Sequence, residues 1–121
     1  MLVAGGRGRL TRLDDGMIRL TWQPGTIVEV EDAQDVLESS FLFVDSVPYA
    51  ILIDLGGIFS ISAAASYAFA DDHRVLAAAM LGDTPVDRVL AAQSSRAIHS
   101  TRLFSSEPDA VAWLAGYLLG E

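Results

Sequence analysis

The stretch Ala50–Ala70, AILIDLGGIFSISAAASYAFA, limits the possible folds more than any other part of the chain. Ala50–Asp54 is an apolar run closed by an acid, and its length and branched side chains read as a buried strand. Leu55–Ile61 reads as a loop of small residues, and Ser62 stands before three alanines as the N-cap of a short helix. A strand, a glycine-containing loop and a capped helix in succession are how an open α/β sheet builds a binding site at the carboxyl end of a strand. The stretch therefore specifies a kind of architecture but no reaction.

The flanking segments extend the same pattern. Arg9–Trp22 reads as a β-hairpin, because Asp15-Gly16 tolerates the positive φ of a two-residue turn. With those two residues as the whole turn, Leu13 faces Ile18, and Ile18, Leu20 and Trp22 share the core face. Arg12 then opposes Arg19 on a solvated face. Pro24-Gly25 ends the hairpin, and Thr26–Val30 is a short extended entry. A helix is expected from about Asp32, as N-cap, to Val44, with Ala33, Val36, Leu37, Phe41 and Val44 at helical spacing. The strand after it should then lie parallel to its neighbour through a right-handed crossover. Val75–Leu81 is an unbroken apolar run, as in a strand buried on both faces. Thr84-Pro85 with Asp87 signals a capping box for a helix running to about Ser94 and burying Val86, Val89 and Leu90. Arg102–Phe104 is a last strand. Ser106-Glu107-Pro108-Asp109 opens a terminal helix that buries Ala110, Trp113, Leu114, Tyr117 and Leu118. The expected fold class is α/β: an N-terminal antiparallel hairpin followed by β-α units, giving a mixed sheet in a single layer covered by helices. Residues 1–8 are expected as a flexible terminus and 9–121 as one domain.

Composition narrows the partners. The chain has 121 residues, is 51% apolar and carries a net charge of −8, with every cation an arginine. An acidic surface without a basic run disfavours nucleic acid, whose binding rests on cations releasing counterions from phosphate. The uncharged run Leu55–Ala70 is too short and too rich in glycine and serine for a membrane span. The absence of cysteine excludes disulfides and thiolate metal sites and fits a cytoplasmic protein.

Taken together, Ile53-Asp54-Leu55-Gly56-Gly57-Ile58 leading to Ser62 resembles the STAS fold of the anti-sigma-factor antagonists. In that family a hydrophobic–Asp–Leu–small–Gly–hydrophobic pattern runs into an Asp-Ser-Ser-Gly helix start. Trp22–Gly25, Leu81–Arg88, Arg102–Phe104 and Ala110–Leu114 are similar, in the same order, to segments of small uncharacterised bacterial STAS-like proteins. The resemblance implies a protein-binding module switched by phosphorylation of a serine at the helix start, where free N–H groups stabilise the anion. Here Ser62 falls at the family's aspartate, and Ala63, Ala64 and Ala65 replace Ser-Ser-Gly. The phosphoacceptor is absent, and placing Ser60 or Ser62 in that role breaks the match at Asp54–Gly57.

The candidate ligand- or partner-binding residues are thus Asp54, Gly56, Gly57, Ser60 and Ser62, with no catalytic residue, metal ligand or cofactor expected. A non-catalytic module that binds a protein or small ligand through the 55–62 loop is the leading expectation. A small-molecule or lipid carrier is the alternative. An enzyme using Asp54, Ser62 and His73 stands well behind both, and it requires those three to converge on one cleft. Asp71-Asp72-His73 reads as a solvated turn. A homodimer through the sheet edge or the apolar terminal helix is also possible on sequence grounds.

Overall fold

The computed structural model describes residues 1–93 and 96–119. Its six-stranded sheet has the order β1-β2-β3-β5-β7-β8, formed by β1 (Leu2–Val3), β2 (Gly8–Asp14), β3 (Met17–Trp22), β5 (Tyr49–Asp54), β7 (Val75–Leu81) and β8 (Ser100–Phe104). The first two pairings are antiparallel, and from β3 onward all are parallel. A separate two-stranded parallel ribbon joins β4 (Thr26–Val28) to β6 (Ile58–Ile61). The helices are α1 (Val30–Phe43), α2 (Ala63–Ala70), α3 (Pro85–Ala92) and α4 (Glu107–Leu118). The mixed α/β class and the hairpin followed by β-α units are as expected.

Parallel strands cannot be joined by a tight turn, so each crossover places a helix over a face of the sheet. On one face Ala33, Val36 and Leu37 of α1, Ala65 of α2 and Leu90 of α3 pack on Ile18, Leu20, Trp22, Tyr49, Ile51, Ala78 and Met80. On the other face Ala110 and Leu114 of α4 pack on Met17, Ala50, Leu52, Ala77 and Ala79. Ala77 and Ala79 of β7, with Ala50 of β5, thus have a purpose: small side chains on this face let α4 lie close to the sheet. Outside this close contact Trp113 packs edge to face on Tyr117 and at a tilt on Phe104, with ring centres 5.0 and 5.5 Å apart.

Several local expectations give way to the observed structure. Asp14 does pair with Met17 across the Asp15-Gly16 turn, but a bulge at Leu13 shifts the register, so Arg12 opposes Ile18 and Thr11 opposes Arg19. The two arginines therefore never face each other. Arg12 instead lies 5.5 Å over the Phe43 ring and donates to the Phe43 carbonyl oxygen at 3.2 Å. The N-cap of α1 is Glu29, not Asp32. Asp32 sits at the third helical position and closes a capping box by accepting from the Glu29 N–H at 2.9 Å. Leu55–Ile61 is not one loop: Leu55–Gly57 forms a 3-10 turn, and Ile58–Ile61 forms β6, which pairs with β4 through a register shift. The capping box of α3 is present, but only Leu90 of its three apolar residues is buried, while Val86 and Val89 remain exposed. Ser94, the expected end of that helix, lies outside the described residues. In α4, Ala110 and Leu114 are buried, whereas Trp113, Tyr117 and Leu118 are half-buried.

Residues 1–8 also differ from the expected flexible terminus. β1 pairs Leu2 with Arg9 and Val3 with Gly8, Val3 and Ala4 are buried, and the Ala4 N–H donates to Asp35 Oδ2 at 2.6 Å. Arg7 then bridges the start of α1 through Asp32 and reaches the Ile27 carbonyl oxygen at 3.3 Å.

At the other end of α1 the chain reverses through two consecutive left-handed residues, Asp45 and Ser46, both at φ 60°. Ser46 N–H donates to Phe41 O at 2.9 Å and Asp45 N–H to Leu42 O at 3.2 Å, which satisfies carbonyls the helix leaves open. This reversal delivers Tyr49 into the core, where its hydroxyl neighbours the equally buried hydroxyl of Ser40. Burial pushes the Tyr49 phenol up to about 12, and the Asp72 carboxylate adds to the shift. Because the native state disfavours the phenolate, this group leaves stability untouched below pH 10 and lowers it as pH rises from 10 towards 12. Urea midpoints measured between pH 8 and pH 12 should therefore fall more steeply for the wild type than for Tyr49→Phe.

Candidate functional site

The five candidate residues lie on one continuous path across the carboxyl end of the sheet. Alternation along β5 sends Ile51 and Ile53 to the α1–α3 face and Leu52 to the α4 face, so Asp54 emerges on the α4 face. One of its carboxylate oxygens, Oδ1, accepts the Gly56 N–H at 2.9 Å, which closes the 3-10 turn. The other, Oδ2, accepts from Arg19 Nη2 at 3.0 Å. Arg19 reaches it diagonally from β3, where Arg19 itself pairs with Leu52. A second guanidinium nitrogen, Nη1, binds Glu107 at the first turn of α4. The Asp54 carboxylate is therefore occupied on both sides by structural partners.

The turn then passes to the opposite face of the sheet, where Leu55 and Ile58 are buried. Gly57 is required there for packing. A Cβ at this position would collide with the Trp22 carbonyl oxygen and sit 2.7 Å from its carbon and 3.0 Å from the Gln23 carbonyl oxygen. Gly56 is under no such pressure, since its nearest neighbour would be Asp54 Oδ1 at 3.2 Å.

Ser60 lies in β6 opposite Ile27 and is half exposed. Ser62 caps α2 as expected: its hydroxyl oxygen accepts the Ala65 N–H at 3.1 Å, and its own N–H donates to Val28 O at 3.0 Å. The outward side of the ribbon carries two apolar side chains that sequence reasoning did not single out, Phe59 at 70% exposure and Ile27 at 48%. No clean period marks them: Ile58 and Ile61 both pack inward on either side of a register shift, so a two-residue alternation breaks at Phe59-Ser60.

His73 does not belong to this group. It precedes Val75, which pairs with Tyr49 at the amino end of β5, while Asp54 pairs with Leu81 at the far end, about 16 Å along the strands. Asp54, Ser62 and His73 thus fail to converge on one cleft, and the catalytic reading of those three is withdrawn. The neighbouring Asp72 is also accounted for. Burial would raise its carboxyl, but Arg74, bonded to both oxygens at 2.6–3.2 Å, outweighs this and holds it below the ordinary range. Arg74 further bonds Glu38 at 3.1 Å and lies 5.1 Å over the Phe41 ring. Among the described residues, no group of three histidine or acidic side chains is placed to hold a metal ion. None of the described helices is long and apolar enough to cross a membrane.

The sheet order, the capped helix after the turn and the helix on the reverse face define an α/β protein with the SpoIIAA-like, or STAS-like, fold. The chain belongs to the family described as Domain of unknown function (DUF7793), whose profile covers residues 11–118. Among solved structures, an uncharacterised DUF3478-family protein with a SpoIIAA-like fold from Shewanella loihica PV-4 is 17% identical, over 88% of this chain and 91% of that one, with a TM-score of 0.61. The anti-sigma factor antagonist SpoIIAA in its unphosphorylated form is 11% identical over 90% and 98% of the two chains, with a TM-score of 0.56. The Bacillus cell fate determinant SpoIIAA in its phosphorylated form, also 11% identical, matches over 88% and 97% with a TM-score of 0.51. No curated protein matches the sequence.

The two glycines give opposite expectations for substitution. Gly57→Ala should destabilise the protein by about 3 kcal/mol, because the added methyl meets fixed backbone. Gly56→Ala should cost about 1 kcal/mol or less, and paired urea titrations of the two variants test the contrast.

Proposed function

We propose that the chain acts as one non-catalytic binding module, docking a protein partner on the outward face of the β4–β6 ribbon and the adjoining 54–62 segment. The observation that carries this reading is the exposure of Phe59 and Ile27, one on each strand of that ribbon. Asp54 and Ser62, two of the three polar side chains of the segment, are committed to the turn and the helix cap. An exposed aromatic beside an aliphatic residue is the usual anchor of a protein interface. Val86 and Val89, exposed on α3, add apolar surface to the same module. The anti-sigma factor antagonist that shares the fold is by its name an antagonist of a protein, which agrees with this reading. Ser62 followed by three alanines supports a surface that works without a phosphoserine at the helix start.

The test uses Phe59→Glu, since Gly57 is structural and any side chain there would confound folding with binding. Phe59→Glu should keep the fold, a surface change costing about 0.5 kcal/mol or less. It should also abolish retention of the partner held by the immobilised wild-type protein. Leu42→Glu, an exposed apolar position on α1, should retain that partner. Equal retention by wild type and Phe59→Glu would refute the assignment of this surface.

A small-molecule reading has one observation in its favour. An open cleft of about 460 Å³ lies between α2 and the end of α3, with Ile61, Ala63, Tyr67 and Ala92 among its lining. That volume is within the range of small-ligand sites. An enclosed lipid is not favoured, because the voids reaching into the core beneath α1–α3 measure about 20 and 40 Å³. Native mass spectrometry beside a denatured control decides this reading. Extra mass lost on denaturation supports a bound small molecule, and a bare mass counts against it.

A further inference from the structure

We infer that Arg19 is a positioning residue for the binding turn, and that through it the first turn of α4, on one face of the sheet, is coupled to the 54–57 turn leading to the other. The inference rests on the reading of the 54–62 segment as a binding surface and adds a control point to it.

Three side chains carry the link. Met17 of β3 and Ala50 and Leu52 of β5 face α4, and the same alternation places Arg19 and Asp54 on that side, above the apolar patch and towards the carboxyl end of the sheet. The guanidinium presents separate nitrogens to two carboxylates, Nη2 to Asp54 and Nη1 to Glu107. A planar fork can hold two acids in a fixed relation in a way that a single point charge cannot. Asp54 passes the constraint on, because its second oxygen receives the Gly56 N–H. The path is thus α4, Glu107, Arg19, Asp54 and Gly56, with each step a direct polar contact between partly buried or exposed groups. β3 supports the turn at a second point, where Gly57 rests on the carbonyl of Trp22. The strand that carries Arg19 therefore fixes both the start and the end of the turn.

This arrangement has a functional consequence. A partner that pulls on α4, or a charge change near Glu107, alters the hold of Arg19 on Asp54 and with it the frame on which Ile58 and Phe59 are presented. Two acids in the first turn of α4 separate this coupling from a general effect on the helix. Glu107 touches Arg19, whereas Asp109 belongs to the same turn and has no ion pair among the described residues.

The experiment reads the Gly56 amide resonance in two-dimensional nitrogen–proton spectra, which need no partner. Glu107→Gln should displace that resonance, and Asp109→Asn should leave it in place. In an Arg19→Met background, Glu107→Gln should no longer displace it. An unmoved Gly56 resonance in Glu107→Gln, an equal displacement in Asp109→Asn, or a displacement that persists without Arg19 overturns the inference. If Arg19→Met does not fold, the comparison of the two α4 variants decides alone. Because the turn itself is read, this test can fail while Phe59 still binds a partner, and the binding test can fail while the coupling holds.

Discussion

Two strands buried on both faces, β5 and β7, are the constraint from which the rest of this structure follows. A strand with no wetted face must be covered twice, and parallel neighbours must be linked by segments long enough to cross the sheet. α1, α2 and α3 supply one cover and α4 the other. The alternation of side chains then decides what emerges at the carboxyl end of β5. Asp54 falls on the α4 side and Leu55 on the other, so the chain has to turn over the end of the sheet at that point. Gly57 is the price of making that turn tightly against β3.

Much of this was legible in the sequence. Runs such as Val75–Leu81, and caps such as Ser62, Thr84 and Ser106, depend on chemistry within a few residues, and they appear where local rules put them. The misses share a different cause. The bulge at Leu13 and the exposure of Val86 and Val89 depend on what lies across the sheet or beside the helix. β1 was hidden because a two-residue strand has no period to detect, and its stability comes from Asp35 and Asp32 about thirty residues away. β6 was hidden inside a segment whose glycines dominate its appearance. Among the site residues, the role of Ser62 as a cap could be read directly, while the engagement of Asp54 by Arg19 could not, since 35 residues separate them.

The resemblance to the STAS fold holds, yet it identifies an architecture more than a mechanism. The helix start where the family carries its phosphoacceptor is here a serine cap followed by alanines, with the cap oxygen already engaged by Ala65. What this chain offers in that region is apolar surface on a short ribbon, mounted on a turn whose polar atoms are saturated. Any recognition through such a surface would rest on shape and burial.

The two helical layers also differ in how much free space they enclose. Beneath α4 the alanines of β5 and β7 bring helix and sheet into close contact, whereas the layer under α1, α2 and α3 keeps two small voids lined by core side chains. Volume lost on unfolding scales with such voids. These voids lie on the side of the sheet that carries the β4–β6 ribbon. Under hydrostatic pressure they are volume that unfolding of that layer would eliminate.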